Sequence, residues 1–412
     1  MENKNKINKP RFAIAHKPDY ILSILVLTLI VIGLIMIYST GWITVLKQTG
    51  GSSDRNGFFY NQLLSFGLGL TGWYIASKKL HYSIWQKYAS FIFYGSLVMM
   101  FLVLVPGIAV TVNGASRWIH IGPINFQPVE FFKLGTILFV AAWIEKNRTK
   151  LNKPVEGLIP IIIILIITMS LVVILQKDMG SASVLAAAIF AMYFVSGVSM
   201  RIFMMAFGFM IASASVLIAS SSYRLARYMT FLNHTEDPTG SGYHINQALI
   251  ALGSGGIIGR GLGKSLQAYG YLPEATNDSI FAIIGEEFGL IGCGIVIAII
   301  LLLIWRGYRI VRDAPDDFAK LLACGLVAWI GFQSFFNISA MLGIIPLTGI
   351  TLPFISYGGT SLMALLFGIG ILQNISRYTK GDLPDENRGL RRRNSRTHNP
   401  NSSDSRRPAR TR

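Results

Sequence analysis

A chain of 412 residues with a formal charge of +17 would ordinarily suggest an acidic polymer as partner, but only 14% of it is charged, 52% is hydrophobic and its mean hydropathy is +0.50. That balance excludes a soluble domain with a polar shell and makes lipid the solvent of the fold. The basic residues form no single patch, which speaks against nucleic acid, and the two cysteines, Cys293 and Cys324, lie inside apolar stretches, which supports neither a disulfide framework nor a thiolate metal site.

Residues 1–18 form a basic N-terminal tail. Apolar segments follow at 20–38, 59–76, 88–105, 128–144, 158–175, 181–198, 202–220, 285–305, 318–338 and 356–375. Each is long enough, with some tilt, for a hydrocarbon core of about 30 Å, and short polar joints connect them. The expected fold class is therefore all-α, a polytopic membrane domain over 19–378 with about ten transmembrane helices. Lys and Arg gather before the first segment, after the second, fourth, sixth and eighth, and again after the tenth. Those joints face the cytoplasm, and the even count places both termini there. The first segment is too long for a signal sequence and no small-residue cleavage site follows it, so it reads as a retained anchor. Residues 379–412, rich in Arg, Asn, Ser and Pro, cannot bury a core and are expected to be disordered, with membrane lipids as their simplest partner.

The longest joint, 221–284, falls on the outer side. It carries apolar residues at helical spacing (Ile245, Ala248, Leu249, Leu252), a glycine series from Gly253 to Gly263, and then Tyr271, Leu272 and Pro273. This pattern predicts short interfacial helices folded back over the bundle. The stretch Gly261-Leu-Gly-Lys-Ser resembles part of a phosphate loop, but Ile258 stands where that motif needs glycine and no strand precedes it, so the motif fails. The glycines serve either as tight turns or as amides offered to a phosphate-bearing lipid.

Seven charges lie within or beside apolar segments: Glu130, Lys133, Lys177, Asp178, Asp278, Glu286 and Glu287. Such groups normally face a cavity or pair with one another. Glu130 and Lys133, three apart on one helix, can form an ion pair, or Lys133 can meet a diphosphate. Glu286 and Glu287 suit a polar network. Asp278 sits where the outer loop re-enters the membrane, beside an expected cavity, and reads either as a general base or as an N-cap for a helix starting at Ser279.

With these residues in view, the sequence resembles the shape, elongation, division and sporulation (SEDS) family typified by FtsW and RodA, from about Asp19 to Tyr378. The resemblance rests on Asn-Gly-Ala-Ser-Arg-Trp-Ile from Asn113, Phe-Gln-Pro-Val-Glu-Phe-Phe-Lys-Leu from Phe126, Gln-Lys-Asp-Met-Gly from Gln176, Tyr243 with Gln247 and the glycine series. It extends to Tyr-Leu-Pro-Glu-Ala-Thr-Asn-Asp from Tyr271, Ile-Gly-Glu-Glu-Phe-Gly-Leu-Ile-Gly from Ile284, and Leu-Pro-Phe-Ile-Ser-Tyr-Gly-Gly from Leu352. It implies a peptidoglycan glycosyltransferase of the bacterial cytoplasmic membrane that polymerises lipid II on the outer face, with a class B penicillin-binding protein, a transpeptidase, as partner. Asp278 stands where the family's proposed catalytic Asp follows a Pro-Glu. The family usually has Pro at Lys177, Ser at Val129, and His-Thr at Thr276 and Asn277, which leaves no neighbouring His to tune Asp278. The Tyr-Leu-Pro-Glu-Ala form and Thr-Gly-Ile-Thr-Leu-Pro from Thr348 look more like the division branch, which implies other division proteins as partners and a place at the septum.

The implied chemistry is displacement of undecaprenyl diphosphate from one sugar by the 4-hydroxyl of another. Asp278 would accept the proton, and the substrate site is expected to draw on Arg117, Glu130, Lys133, Asp178, Arg227, Arg260, Lys264 and Glu274, with the cations among them offsetting the diphosphate. A divalent cation (Mg or Mn) could share that task, although no metal-ligand spacing is visible. Two rival readings stand beside this one: a lipid II flippase, which would use intramembrane charges equally well, and a non-catalytic divisome scaffold acting through the Arg-rich tail.

Overall fold

The computed structural model describes residues 13–49, 57–105, 109–112, 115–121, 124–232 and 241–380, so the expectations for the two terminal tails largely lie outside the described residues. Among the described residues, twelve α-helices dominate: α1 (Tyr20–Thr49), α2 (Gly57–Tyr74), α3 (Tyr82–Leu102), α4 (Pro128–Lys146), α5 (Ile159–Leu175), α6 (Met179–Val195), α7 (Met200–Ala219), α8 (Ser222–Leu232), α9 (Ser241–Gly255), α10 (Ile280–Asp313), α11 (Asp317–Met341) and α12 (Gly359–Ile375). Ten of them occupy the ten apolar segments, and α8 and α9 lie in the long joint as expected. Among the described residues, five stretches are long and apolar enough to cross a membrane by length and composition alone: Tyr20–Gly41, Pro154–Leu175, Met200–Ala219, Ile280–Asp313 and Asp317–Met341.

The bundle is organised around four central helices. α4, α6, α11 and α12 bury residues all round their circumference, as a helix that is apolar on every face must when it lies at the centre. They pack as α4 on α3, α6 on α11 and α12 on α2. α7 is the opposite case: only Ile202 and Ala206 are buried, and Met204, Phe209 and Val216 face outward, as lipid solvent permits.

Three features depart from the sequence expectation. Strands β2 (Ala109–Val112), β3 (Ala115–Ile121) and β4 (Ile124–Phe126) form an antiparallel sheet in the joint before α4, where no strand was expected. Helix α10 starts five residues earlier than its apolar run, at Ile280, and the segment 342–358, whose end was expected to begin the last helix, is an irregular loop. Finally, β1 (Ala13–Ala15) pairs antiparallel with β5 (Tyr378–Lys380), so the two ends of the described chain meet on one side of the bundle. Arg306 bonds Asp19 there at 2.6 Å, and Asp19 in turn caps Leu22 of α1.

The long joint is spliced into α10. At Gly289 the helix is broken by a backbone conformation (φ 66°, ψ −161°) that is essentially restricted to glycine. Backbone groups freed by such a break inside a bilayer need new partners. The carbonyls of Glu286 and Glu287 accept from the amides of Arg260 and Gly261 at 3.0 and 2.9 Å, and the amides of Leu290 and Ile291 donate to the carbonyls of Gly256 and Ile257 at 2.9 and 3.1 Å. A Cβ on Gly289 would lie 2.5 Å from the Gly259 nitrogen and from the Ile257 oxygen, so the splice tolerates only glycine at this position.

Candidate functional site

Of the seven charges singled out in the sequence, six are buried: Glu130, Lys133, Asp178, Asp278, Glu286 and Glu287; Lys177 is exposed. Burying a charge is expensive unless it is paired and hydrogen-bonded. The arrangement of partners therefore tells which of them hold the fold.

Glu286 and Glu287 do so. Glu286 accepts from the Ser265 hydroxyl and from the amides of Leu266 (2.9 Å) and Gln267 (3.2 Å), while Arg260 stands 3.6 Å away. Glu287 accepts from Gly263 N (3.0 Å) and from the Ser39 hydroxyl of α1 (3.1 Å). The glycine-series amides thus bind the protein's own carboxylates and carbonyls, which supports the tight-turn reading over a phosphate cradle. Positive φ at Gly256, Gly259, Gly261 and Gly263 makes the turns.

Glu130 and Lys133 form the expected ion pair at 2.8 Å in the first turns of α4. Lys133 also donates to Gln333 of α11 (3.1 Å) and stands 5.2 Å from the Trp329 ring centroid. Gln333 continues the path by donating to the Thr351 carbonyl at 3.0 Å. Asp178 caps α6 by accepting from Ser181 N at 2.9 Å. The turn before it passes through Lys177 at φ 50°, a conformation proline cannot adopt. Arg117 of β3 clamps that turn, donating Nε and Nη2 to the carbonyls of Gln176 and Lys177 at 2.8 Å each.

Asp278 sits in the turn leading into α10 and is 8% exposed. Its carbonyl accepts from Asn337 Nδ2 at 2.8 Å, and the same Nδ2 donates to the Ile350 carbonyl at 2.8 Å. The loop 342–358 also covers it through Gly349, whose missing Cβ would stand 3.9 Å from Asp278 Oδ2, and through Tyr357 N, which donates to the Thr276 carbonyl at 2.9 Å. Glu274, exposed and at φ 51°, closes the turn by accepting from the amides of Asn277 (2.9 Å) and Ser279 (3.3 Å) with its carbonyl. The N-cap position of α10 falls on Ser279, with no side-chain capping bond. Asp278 therefore presents little surface to solvent in this structure.

The site is thus a ring around one loop. Segment 348–357 touches Asp278 and Asn337 on one side, the Gln333 to Lys133 to Glu130 path on another, and the start of α6 on a third, where a Cβ on Gly180 would lie 2.6 Å from the Thr348 oxygen. The remaining sequence candidates lie elsewhere. Arg260 and Lys264 are exposed on the spliced loop, and Arg227 lies on α8 with its side chain outside the described residues. Sequence reasoning missed Gln333 and Asn337, although polar residues four apart on an apolar helix share one face and are a legible signal. It also missed His244 of α9, whose Nε2 lies 2.7 Å from the Ser279 hydroxyl. A histidine is therefore close to Asp278 after all, brought in by tertiary contact, which corrects the expectation drawn from Thr276 and Asn277. Among the described residues no group of three His, Cys, Asp or Glu side chains could hold a metal ion.

Residues 20–381 match the family described as Cell cycle protein, FtsW/RodA/SpoVE. The chain belongs to that family. It is 37% identical over 366 residues to stage V sporulation protein E of Bacillus subtilis, covering 88% of this chain and 98% of the relative. It is 38% identical over 364 residues to the probable peptidoglycan glycosyltransferase FtsW of Trichlorobacter lovleyi, covering 88% and 94%. Among solved structures, a chain of a peptidoglycan synthase complex that coordinates polymerization and crosslinking superposes with a TM-score of 0.69 at 25% identity, over 87% of this chain and 98% of the other. With this membership and its apolar helices, the chain is a multi-pass membrane protein.

Proposed function

We propose that this protein is a peptidoglycan glycosyltransferase that polymerises lipid II at the outer face of the bacterial cytoplasmic membrane, with Asp278 as general base. The observation that carries the reading is one carboxylate held between the lead-in of α10 and loop 348–357, in a family whose relatives include proteins named for this activity. The acceptor 4-hydroxyl attacks the anomeric carbon of the donor sugar, a C–O bond forms, and the bond to the diphosphate oxygen breaks with its electron pair leaving on the diphosphate. The hydroxyl proton passes to Asp278, and a base placed within hydrogen-bond reach contributes about 10²–10⁴-fold to such a step. Loop 348–357 must lift for substrate to reach the carboxylate, and its closure excludes water from the activated donor.

The counter-charge for the leaving group comes from the basic candidates. Arg117 and Lys133 are engaged by the Gln176 and Lys177 carbonyls and by Glu130, so they act as organised parts of the site walls. The Lys264 amide donates to the Gly261 carbonyl at 3.1 Å, while its side chain is exposed and makes no hydrogen bond or ion pair among the described residues, which suits it to an incoming diphosphate. A Mg or Mn ion, if required, would arrive on the diphosphate itself.

The superposition on a chain of a peptidoglycan synthase complex supports a class B penicillin-binding protein as partner. The meeting of β1 and β5 supports both termini on one side, the cytoplasmic side by the basic joints, and the division-like motifs support work at the septum. The deciding experiment is glycan polymerisation from lipid II by purified protein with its partner. Asp278→Asn should abolish polymer while leaving the fold intact; normal polymer from that variant refutes the role, and lipid movement in proteoliposomes without polymer would favour a flippase.

A further inference from the structure

We infer that His244 and Ser279 form a hydrogen-bonded relay that keeps the nearly buried Asp278 carboxylate ionised and aimed, an inference that rests on the reading of Asp278 as the base. The Ser279 hydroxyl stands at the meeting point of three groups: His244 Nε2 at 2.7 Å, the Pro273 carbonyl at 2.9 Å and Asp278 Oδ1 at 3.3 Å. Pro273 O and the carboxylate oxygen can only accept, and a hydroxyl has one proton to give. When the hydroxyl donates to either, its lone pair accepts from His244, which places a proton on Nε2. The hydroxyl is then a rotor between two acceptors. With Asp278 ionised, a charge-assisted bond to Oδ1 is the stronger choice; once Asp278 has taken the substrate proton, the rotor returns to Pro273 O.

Burial favours the neutral form of a carboxylate unless donors hold the charged one, and the Ser279 hydroxyl is one such donor to the nearly buried Asp278. The relay counters that tendency with a donor whose own orientation is set from α9. The elements packed on α9 are α8, α10 and α11. Glu286 and Glu287 on α10 are bonded by the 263–267 loop, Arg306, Arg309, Arg312 and Asp313 stand toward the C-terminal end of α10, Asp317 and Lys320 stand at the start of α11, and Glu274 lies exposed on the adjoining turn, while Arg224 and Arg227 belong to the α8 sequence with side chains outside the described residues. His244 and Ser279 are positioning residues, since neither reacts with substrate.

The test is the pH profile of kcat/KM for lipid II polymerisation by the full chain with its partner transpeptidase, for wild type, Ser279→Ala, His244→Ala and His244→Gln. Loss of one donor to a charged group should move the acid limb of the Ser279→Ala profile to higher pH by about one unit. His244→Ala should move it in the same direction by less, with its greatest loss at low pH. His244→Gln, which restores a neutral N–H at this place, should recover the wild-type limb. Profiles that superimpose on wild type, or a loss uniform across pH that Gln does not rescue, would overturn the relay. Asp278→Asn run alongside separates the two claims: polymer from that variant removes the base itself, whereas an inactive Asp278→Asn with unmoved Ser279→Ala and His244→Ala profiles removes only the relay.

Discussion

Asn337 is the residue whose loss should most directly uncouple Asp278 from its cover. Its side chain is 1% exposed, and one amide nitrogen serves two carbonyls, Asp278 O and Ile350 O, each at 2.8 Å. Asn337→Ala strands both in a space too enclosed for bulk water. A buried polar group left without its partner loses about 1–3 kcal/mol, so two such groups give a destabilisation of roughly 2–6 kcal/mol, a large share of the about 5–15 kcal/mol that holds a typical fold together. The chemistry should suffer separately, because a displacement of about 1 Å of a positioned group is enough for a loss on the order of 100-fold. The assays are thermal unfolding in detergent, where the midpoint should fall by about 5–10 °C, and lipid II polymerisation well below that midpoint. Asn337→Asp sharpens the case: the side chain keeps its shape but presents acceptors to two carbonyls and a negative charge beside Asp278, so it should be at least as damaging as Ala. A variant at this position with unchanged midpoint and unchanged polymerisation would show that the bridge does not hold the carboxylate.

The spliced helix predicts that Gly289→Ala is destabilised by about 3 kcal/mol or more, because the added Cβ meets backbone atoms at 2.5 Å in a conformation open only to glycine. Gly294→Ala, in the same helix with open space around its Cβ position, should be neutral or gain up to about 1 kcal/mol, and thermal unfolding of the pair checks the contrast. At the buried ion pair, Lys133→Met should lose about 3–5 kcal/mol by stranding Glu130, whereas the double change Glu130→Gln with Lys133→Met should lose less than the single; the opposite order in a double-mutant cycle would show that the pair is not coupled. At the joint before α3, desolvation lowers the pKa of His81 below its ordinary 6.5 and outweighs the opposing pull of Asp316. Between the lowered value and 6.5 the unfolded chain binds more protons, so this group's contribution to stability falls as pH drops through that window. An NMR titration should find the midpoint below 6.5, and Asp316→Asn should lower it further.

How much of this was legible in the sequence depended on the distance along the chain between the residues involved. Glu130 and Lys133 are three apart, so helical geometry alone brings them together, and the ion pair is where spacing put it. The ten apolar segments became helices because a bilayer leaves the backbone no other partner than itself. Asp278 stood out as a charge at the edge of an apolar run. The Asn337 bridge to Asp278 spans 59 residues and the His244 contact to Ser279 spans 35, and nothing periodic links either pair. The same holds for the break at Gly289, which reads as one more glycine in a helical stretch until the 256–261 segment is laid against it.

The sequence by itself determined the lipid environment, the number and order of the helices, the side on which basic joints gather, and the carboxylate on which the chemistry is expected to rest. Composition and periodicity act within one segment, and one segment is all that those properties require. The tertiary structure decided what covers that carboxylate, which donors hold it, and how the outer joint is let into a broken helix. These are contacts between surfaces that become neighbours only after the bundle has closed, and their hydrogen bonds are selected by the demand that every buried polar group find a partner.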